Sequence, residues 1–212
     1  MEIKGIEAQA RPLPLLVLAD TSGSMSGAKI SSLNQSLAAL VQDLRVDEQT
    51  KDSVMLSVIS FDDSVSEVVS LQPVSKVSLP TLATRGQTCM GEAMRTALRQ
   101  LSDPARIPAR CLTPVILLAS DGQPTDHWQG PLNDLQSHAK VGGALRLALA
   151  IGRDADTKVL SAFASVEYPV LQADNPEKIK SFFKWATWVT KTVYKSGGRN
   201  RNQQPPPDDL IF

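Results

Sequence analysis

Residues 13–25 read LPLLVLADTSGSM. The apolar part, 13–19, is too short to span a bilayer and lacks a small-residue cleavage site. It runs straight into the polar cluster Asp20-Thr21-Ser22-Gly23-Ser24, so it reads as a buried strand rather than a signal or an anchor. Nearly continuous apolar runs recur at 54–61, 113–119 and 145–151, separated by helix-length segments. A strand apolar on both sides is covered on both faces, which is the pattern of a parallel sheet inside an α/β domain. The run 64–71 differs, because only Asp62 and Asp63 link it to Phe61. Two residues cannot make a parallel crossover, so this run is expected to pair antiparallel at the sheet edge. A last strand is expected at 166–171.

Between these runs the period changes to that of helices. Residues 29–44 place Ile30, Leu33, Leu37, Leu40, Val41 and Leu44 on one face, and 91–101 do the same with Met94, Ala97, Leu98 and Leu101. Further helices are expected at 131–140, 157–163 and 177–193. The last is opened by Asn175-Pro176, with Asp174 or Asn175 as N-cap and Pro176 in the first helical position. The expected architecture is a doubly wound α/β domain with a mostly parallel sheet, one antiparallel edge strand and helices on both faces. It occupies residues 1–193. Residues 194–212 lose the apolar period and form a flexible Pro-rich polar tail, whose ending PPPDDLIF reads as a plain terminus or as a docking peptide.

The 212-residue composition, 42% hydrophobic and 21% charged, is that of a globular protein. Lys+Arg and Asp+Glu are equal at 22 each, so no basic field exists for a nucleic-acid partner, and no segment suits a membrane. Cys89 and Cys111 stand apart with no CxxC or Cys/His cluster, which removes a disulfide framework and a zinc signature. Both read as packing residues of a cytoplasmic protein.

Ligands of open α/β sheets bind beyond the carboxyl ends of the strands, and there the polar residues collect. Asp20, Ser22 and Ser24 follow the first strand, Asp121 follows the strand at 113–119, and Thr88 precedes the second helix. Together they form an all-oxygen set suited to Mg²⁺ or Mn²⁺, less to Ca²⁺, and not to zinc or copper. Two carboxylates among neutral hydroxyls leave the ion under-neutralised, with a position open to water or an acidic side chain of a partner. Gly23 allows the tight turn that aims both serines one way. Each residue alone has a plainer explanation. Asp20, Ser22 and Thr88 could cap helices, and Asp121-Gly122 could be a turn. Asp126 reads as a helix cap rather than a sixth ligand, His127 and His138 as surface or packing residues, and Phe182, Phe183, Trp185 and Trp188 chiefly as core.

Asp20-Thr21-Ser22-Gly23-Ser24, with Thr88 and Asp121 in order and context, resembles the metal-ion-dependent adhesion site (MIDAS) of von Willebrand factor A (vWA) domains. The likeness covers residues 12–193 and implies a Rossmann-like vWA fold. It also implies that Ser22, Ser24 and Thr88 bind the ion directly, while Asp20 and Asp121 act through water or hydroxyl hydrogen bonds. Residues 29–34 (KISSLN), 121–126 (DGQPTD) and 181–185 (SFFKW) are similar to bacterial tellurium-resistance-associated TerY-like proteins. That likeness implies a scaffold or substrate in signalling with a protein kinase and a PP2C-type phosphatase. Gln87 stands where a second Gly is common, and Ala119-Ser120 where a Thr often precedes the Asp; neither removes a ligand.

Enzyme readings lack parts. An aspartate-nucleophile phosphatase needs a second acid at position 22, which is Ser22, and in residues 23–29 (GSMSGAK) Gly and Lys are not adjacent as a phosphate loop requires. The expectation is an interaction module rather than an enzyme, with a Mg²⁺-dependent phosphoryl-transfer or hydrolytic activity as the alternative.

Overall fold

A computed structural model describes residues 11–121 and 123–198. Most of the tail expected at 194–212 lies outside the described residues. Six strands form one sheet: β1 (Leu13–Asp20), β2 (Val54–Phe61), β3 (Val65–Pro73), β4 (Val115–Ser120), β5 (Leu145–Ile151) and β6 (Leu171–Ala173), in the order β3-β2-β1-β4-β5-β6. All neighbours are parallel except β2 and β3, which pair antiparallel at the edge. Among the described residues the α-helices are α1 (Ala28–Arg45), α2 (Met90–Ser102), α3 (Gln129–Ser137), α4 (Thr157–Phe163) and α5 (Pro176–Lys195). This is the doubly wound architecture expected.

The period-two alternation of side chains divides the core into two halves. From β1, Leu13, Leu15, Val17 and Ala19 pack toward α1 and α5, while Leu16 and Leu18 pack toward α2, α3 and α4. From β4, Val115, Leu117 and Ala119 face the first group, Ile116 and Leu118 the second. Each such Leu, fully buried, contributes roughly 1.5–3 kcal/mol of transfer free energy. That burial fixes the register of β1 and therefore the height at which Asp20 leaves the sheet.

Three differences from the sequence reading have local causes. The last strand is not 166–171 but β6, because Tyr168 N closes a turn on Ser165 O (2.9 Å) and leaves Val166 in solvent. Pro169 then cannot donate to a ladder. The helix expected at 131–140 starts earlier, at Gln129, since Pro131 is tolerated in a first turn, and it stops at Ser137. On α5, Phe182, Phe183 and Trp185 are buried, but Trp188 is 38% exposed and is not core. Of the two proposed caps, Asn175 accepts from Lys178 N (3.0 Å), whereas Asp174 pairs with the Lys178 ammonium (3.3 Å).

Candidate functional site

Asp20 is the last residue of β1 and is fully buried. Its Oδ1 accepts from Ser22 N (2.8 Å) and its Oδ2 from Ser120 Oγ (2.5 Å). The first bond turns the chain sharply off the sheet; the second ties β1 to β4. Burial pushes the Asp20 carboxyl up to about 6, against the hydrogen bonds from Ser120 and Ser22, and the neighbouring charge of Asp121 adds to the rise. Beyond the turn, the Ser22 and Ser24 hydroxyls lie 3.0 Å apart, Ser22 buried and Ser24 exposed. Neither serves as a side-chain cap of the short 3₁₀ turn that Gly23 opens.

Asp121, just past β4, is 3% exposed. Its backbone oxygen accepts from Asp156 N (2.8 Å), and its Oδ2 lies 3.8 Å from Lys29 Nζ. Its Oδ1 is buried with no hydrogen-bond partner among the described residues. An acceptor so placed lacks the hydrogen bond that would offset its desolvation. Lys29 Nζ also donates to Ser24 O (3.1 Å), so the β1 and β4 loops meet around this ammonium.

Thr88 is 4% exposed and reaches the rim by a different route. Its N–H donates to Thr125 Oγ1 (3.2 Å), and its carbonyl accepts from Thr125 N (2.9 Å). The loop before it is bound to the β1 loop, Gly23 N donating to Gly86 O (3.0 Å) and Arg85 N to Thr21 O (2.8 Å). Asp63 Oδ1 accepts from Gln87 N (2.8 Å). Gly86 has φ +58°, and a Cβ on it would fall 1.8 Å from Asp63 Oδ2. Only glycine suits that position. Gly23 has no positive φ; its missing side chain permits the close approach to Gly86 O, where a Cβ would lie at 3.3 Å. The tight turn is therefore not what requires glycine there.

Asp20, Ser22, Ser24 and Asp121 are thus joined directly or through Ser120 and Lys29. Thr88 is placed through its backbone, and no hydrogen bond joins its hydroxyl to the other four among the described residues. It does not cap α2, whose N-cap is Cys89 without a side-chain bond. The cap comes from Asp126, whose Oδ1 and Oδ2 accept from Gly91 N and Glu92 N (both 2.9 Å). Asp126 is a cap, as expected, and the helix start it caps lies 35 residues earlier.

Sequence reasoning passed over the supports. Ser120, Lys29 and Thr125 were unassigned, and Asp62-Asp63 served only as a short link. Asp62 receives Arg85 Nε (3.0 Å) and Thr21 Oγ1 (3.1 Å). Burial works against its charge, yet the bonds from Ser64 N, Arg85 and Thr21 outweigh it and hold the carboxyl below its ordinary value. Two acids at the carboxyl end of a buried strand are the signal that marked them. Among the described residues no three His, Cys, Asp or Glu cluster as metal ligands, so any ion at this rim must rely on hydroxyls.

The parallel sheet, the switch in strand order between β1 and β4 and the carboxylate–hydroxyl rim define a Rossmann-like α/β domain with a candidate oxygen site at its carboxyl edge. The chain belongs to the von Willebrand factor type A domain family, whose model matches residues 15–185. It is 26% identical over 194 residues to mouse (Mus musculus) inter-alpha-trypsin inhibitor heavy chain H2, covering 81% of this chain and 20% of that protein. Among solved structures it is similar to proximal thread matrix protein 1 of the mussel byssus with a zinc-occupied MIDAS motif (TM-score 0.66, 19% identity, 87% of this chain and 46% of that one). It is also similar to the ArnB paralog VWA2 from Sulfolobus acidocaldarius (TM-score 0.62, 19% identity, 82% and 45%). The chain therefore spans a fifth of the curated relative and less than half of each of these structures.

Proposed function

We propose that this chain is a metal-dependent protein-interaction module, in which Asp20, Ser22, Ser24, Thr88 and Asp121 hold a divalent cation that takes an acidic side chain from a partner. The observation that carries this reading is the buried, unpartnered Asp121 Oδ1 beside a rim of carboxylates and hydroxyls. A cation would satisfy that oxygen, and the donor set is all oxygen, as a hard ion requires. The Ser22 and Ser24 hydroxyls, hydrogen-bonded to each other at 3.0 Å, stand close enough to serve one small ion together. Mg²⁺ or Mn²⁺ is the ion we propose, on the all-oxygen donor set. Zinc occupies the corresponding motif of the mussel protein, so the oxygen donors do not by themselves exclude it.

The finer reading is a cytoplasmic, bacterial, TerY-like scaffold or substrate that works with a protein kinase and a PP2C-type phosphatase. It rests on the KISSLN, DGQPTD and SFFKW segments. No described helix is long and apolar enough to cross a membrane. We assign no enzymatic activity. The experiment is calorimetric titration of Mg²⁺, Mn²⁺, Ca²⁺ and Zn²⁺ into the wild type and into Asp121→Asn, followed by pull-down of partners with and without chelator. Saturable binding of Mg²⁺ or Mn²⁺ that Asp121→Asn loses, and partners released by chelator, are expected. Identical titrations in both proteins would remove the site, and Mg²⁺-dependent phosphoester turnover lost in Asp20→Ala would replace the module by an enzyme.

A further inference from the structure

Lys29, the second residue of α1, brings an ammonium to the rim beside Asp121. Its side chain is 34% exposed, its ammonium donates to Ser24 O (3.1 Å), and Asp121 Oδ2 lies at 3.8 Å, beyond hydrogen-bond range. An ammonium has three donors, so protons remain for another acceptor. On its far side Lys29 borders a cavity of about 90 Å³ shared with Gly152, Asp174 and Asn175. A Cβ on Gly152 would stand 3.2 Å from both Lys29 Cε and Nζ. The lysine end therefore lies against the bare backbone of Gly152, and the cavity leaves space beside it.

Charge counting changes how the site attracts a ligand. Asp20 and Asp121 carry two negative charges, which alone would balance a divalent cation. The under-neutralised state attributed to hydroxyl ligands does not follow from those ligands. Counting Asp20, Asp121, Lys29 and the cation alone, the formal charge is plus one, and one carboxylate brings it to neutrality.

We propose that Lys29 is a specificity-determining second anchor of the rim: a partner carboxylate places one oxygen at the cation and accepts a hydrogen bond from Lys29 Nζ at the other. This rests on the metal-site reading above. It makes the preferred ligand a carboxylate rather than a neutral carbonyl or hydroxyl, because only an anion meets both cations.

The probe is propionate, with propionamide as its neutral counterpart, titrated into the Mn²⁺-loaded protein while water-proton relaxation reports displacement of metal-bound water. In the wild type, propionate displaces water and propionamide does not. In Lys29→Met, which keeps the aliphatic length, Mn²⁺ affinity is unchanged or tighter, while propionate affinity falls by about fivefold or more. Lys29→Arg restores propionate binding to within about threefold of wild type. Unaltered propionate affinity in Lys29→Met overturns the proposal. So does weaker Mn²⁺ binding in that variant, which would make Lys29 a strut of the loop, or failure of Arg to restore the affinity. Absence of Mn²⁺ binding in the wild type instead sinks the metal site itself, and Mn²⁺ binding without propionate sinks carboxylate capture.

Discussion

The two loops that bring hydroxyls to the rim are held in different ways. The β1 loop adds local bonds to its long-range ones: Asp20 accepts from Ser22 N two residues on, and the Ser22 and Ser24 hydroxyls meet across one glycine. The Thr88 loop owns almost none of its own restraints. Its backbone bonds end on Thr21, Gly23, Asp62, Asp63 and Thr125, all more than twenty residues away in sequence. Part of the first loop's geometry is therefore local, whereas the second loop is positioned only once β1, β2 and β4 are side by side. The first should keep its shape under perturbation better than the second.

The largest effect is expected at the β1 loop, where it reports electrostatics rather than shape. The folded-state pKa of Asp20, about 6, stands above the ordinary value of 3.8, so the folded protein holds this proton more tightly than the unfolded chain. In the metal-free protein the penalty is absent below about pH 4, grows through the window between the two values and is complete above about pH 6. From the width of that window it amounts to roughly 3 kcal/mol. Asp20→Asn keeps an acceptor for Ser22 N and offers a donor to Ser120 Oγ. Its chelator-treated form should unfold at a higher urea concentration than wild type at pH 8, by up to about 3 kcal/mol, and the two should converge at pH 4. Mg²⁺ should stabilise the wild type and not the variant. Equal stability at pH 8 would show that Asp20 is not held against its burial.

Gly86→Ala tests the second loop. The added Cβ meets the Asp63 carboxylate and the φ of +58° becomes strained, at a cost of about 1–3 kcal/mol. Asp63 must move, releasing Gln87 N and with it Thr88. The Ser22–Ser24 pair is untouched, so cation affinity should fall by about tenfold with the fold retained. If calorimetry shows no change, Thr88 is not part of the site. Gly23→Ala, with its Cβ 3.3 Å from Gly86 O, should give a smaller loss.

The same contrast explains what was legible in the sequence. Strands at 54–61 and 145–151 and the helix at 157–163 stand where their apolar patterns placed them, because burial on both faces of a sheet is written in consecutive residues. Asp20, Ser22 and Ser24 are legible because they stand within five consecutive residues at the end of such a strand. Ser120 was visible only as a residue standing where Thr often does, since its bond to Asp20 joins positions 100 apart. Asp62, Asp63, Thr125 and Lys29 belong to pairings that exist only after the strand order β3-β2-β1-β4 is known. The run 166–171 misled because apolar content does not report the turn at Ser165–Tyr168.

Asp126 offers the smallest effect and the finest division between the loops. Its carboxylate closes two N–H groups at the start of α2, while its neighbour Thr125 holds Thr88 by separate bonds. Asp126→Ala should cost about 1 kcal/mol as a lost cap, seen as a fall in Tm of about 2–4 °C for a chain of this size. Cation affinity should change by less than about threefold, because the Thr125–Thr88 pair survives and a surface cap couples weakly to a site held by other contacts. Thr125→Val, which removes only the hydroxyl that accepts from Thr88 N, should reverse the proportions, with a smaller fall in Tm and a larger loss of affinity. If Asp126→Ala instead weakens the cation as much as Gly86→Ala does, the start of α2 and the Thr88 loop move as one body. The long-range loop would then be positioned by a helix rather than by its own hydrogen bonds.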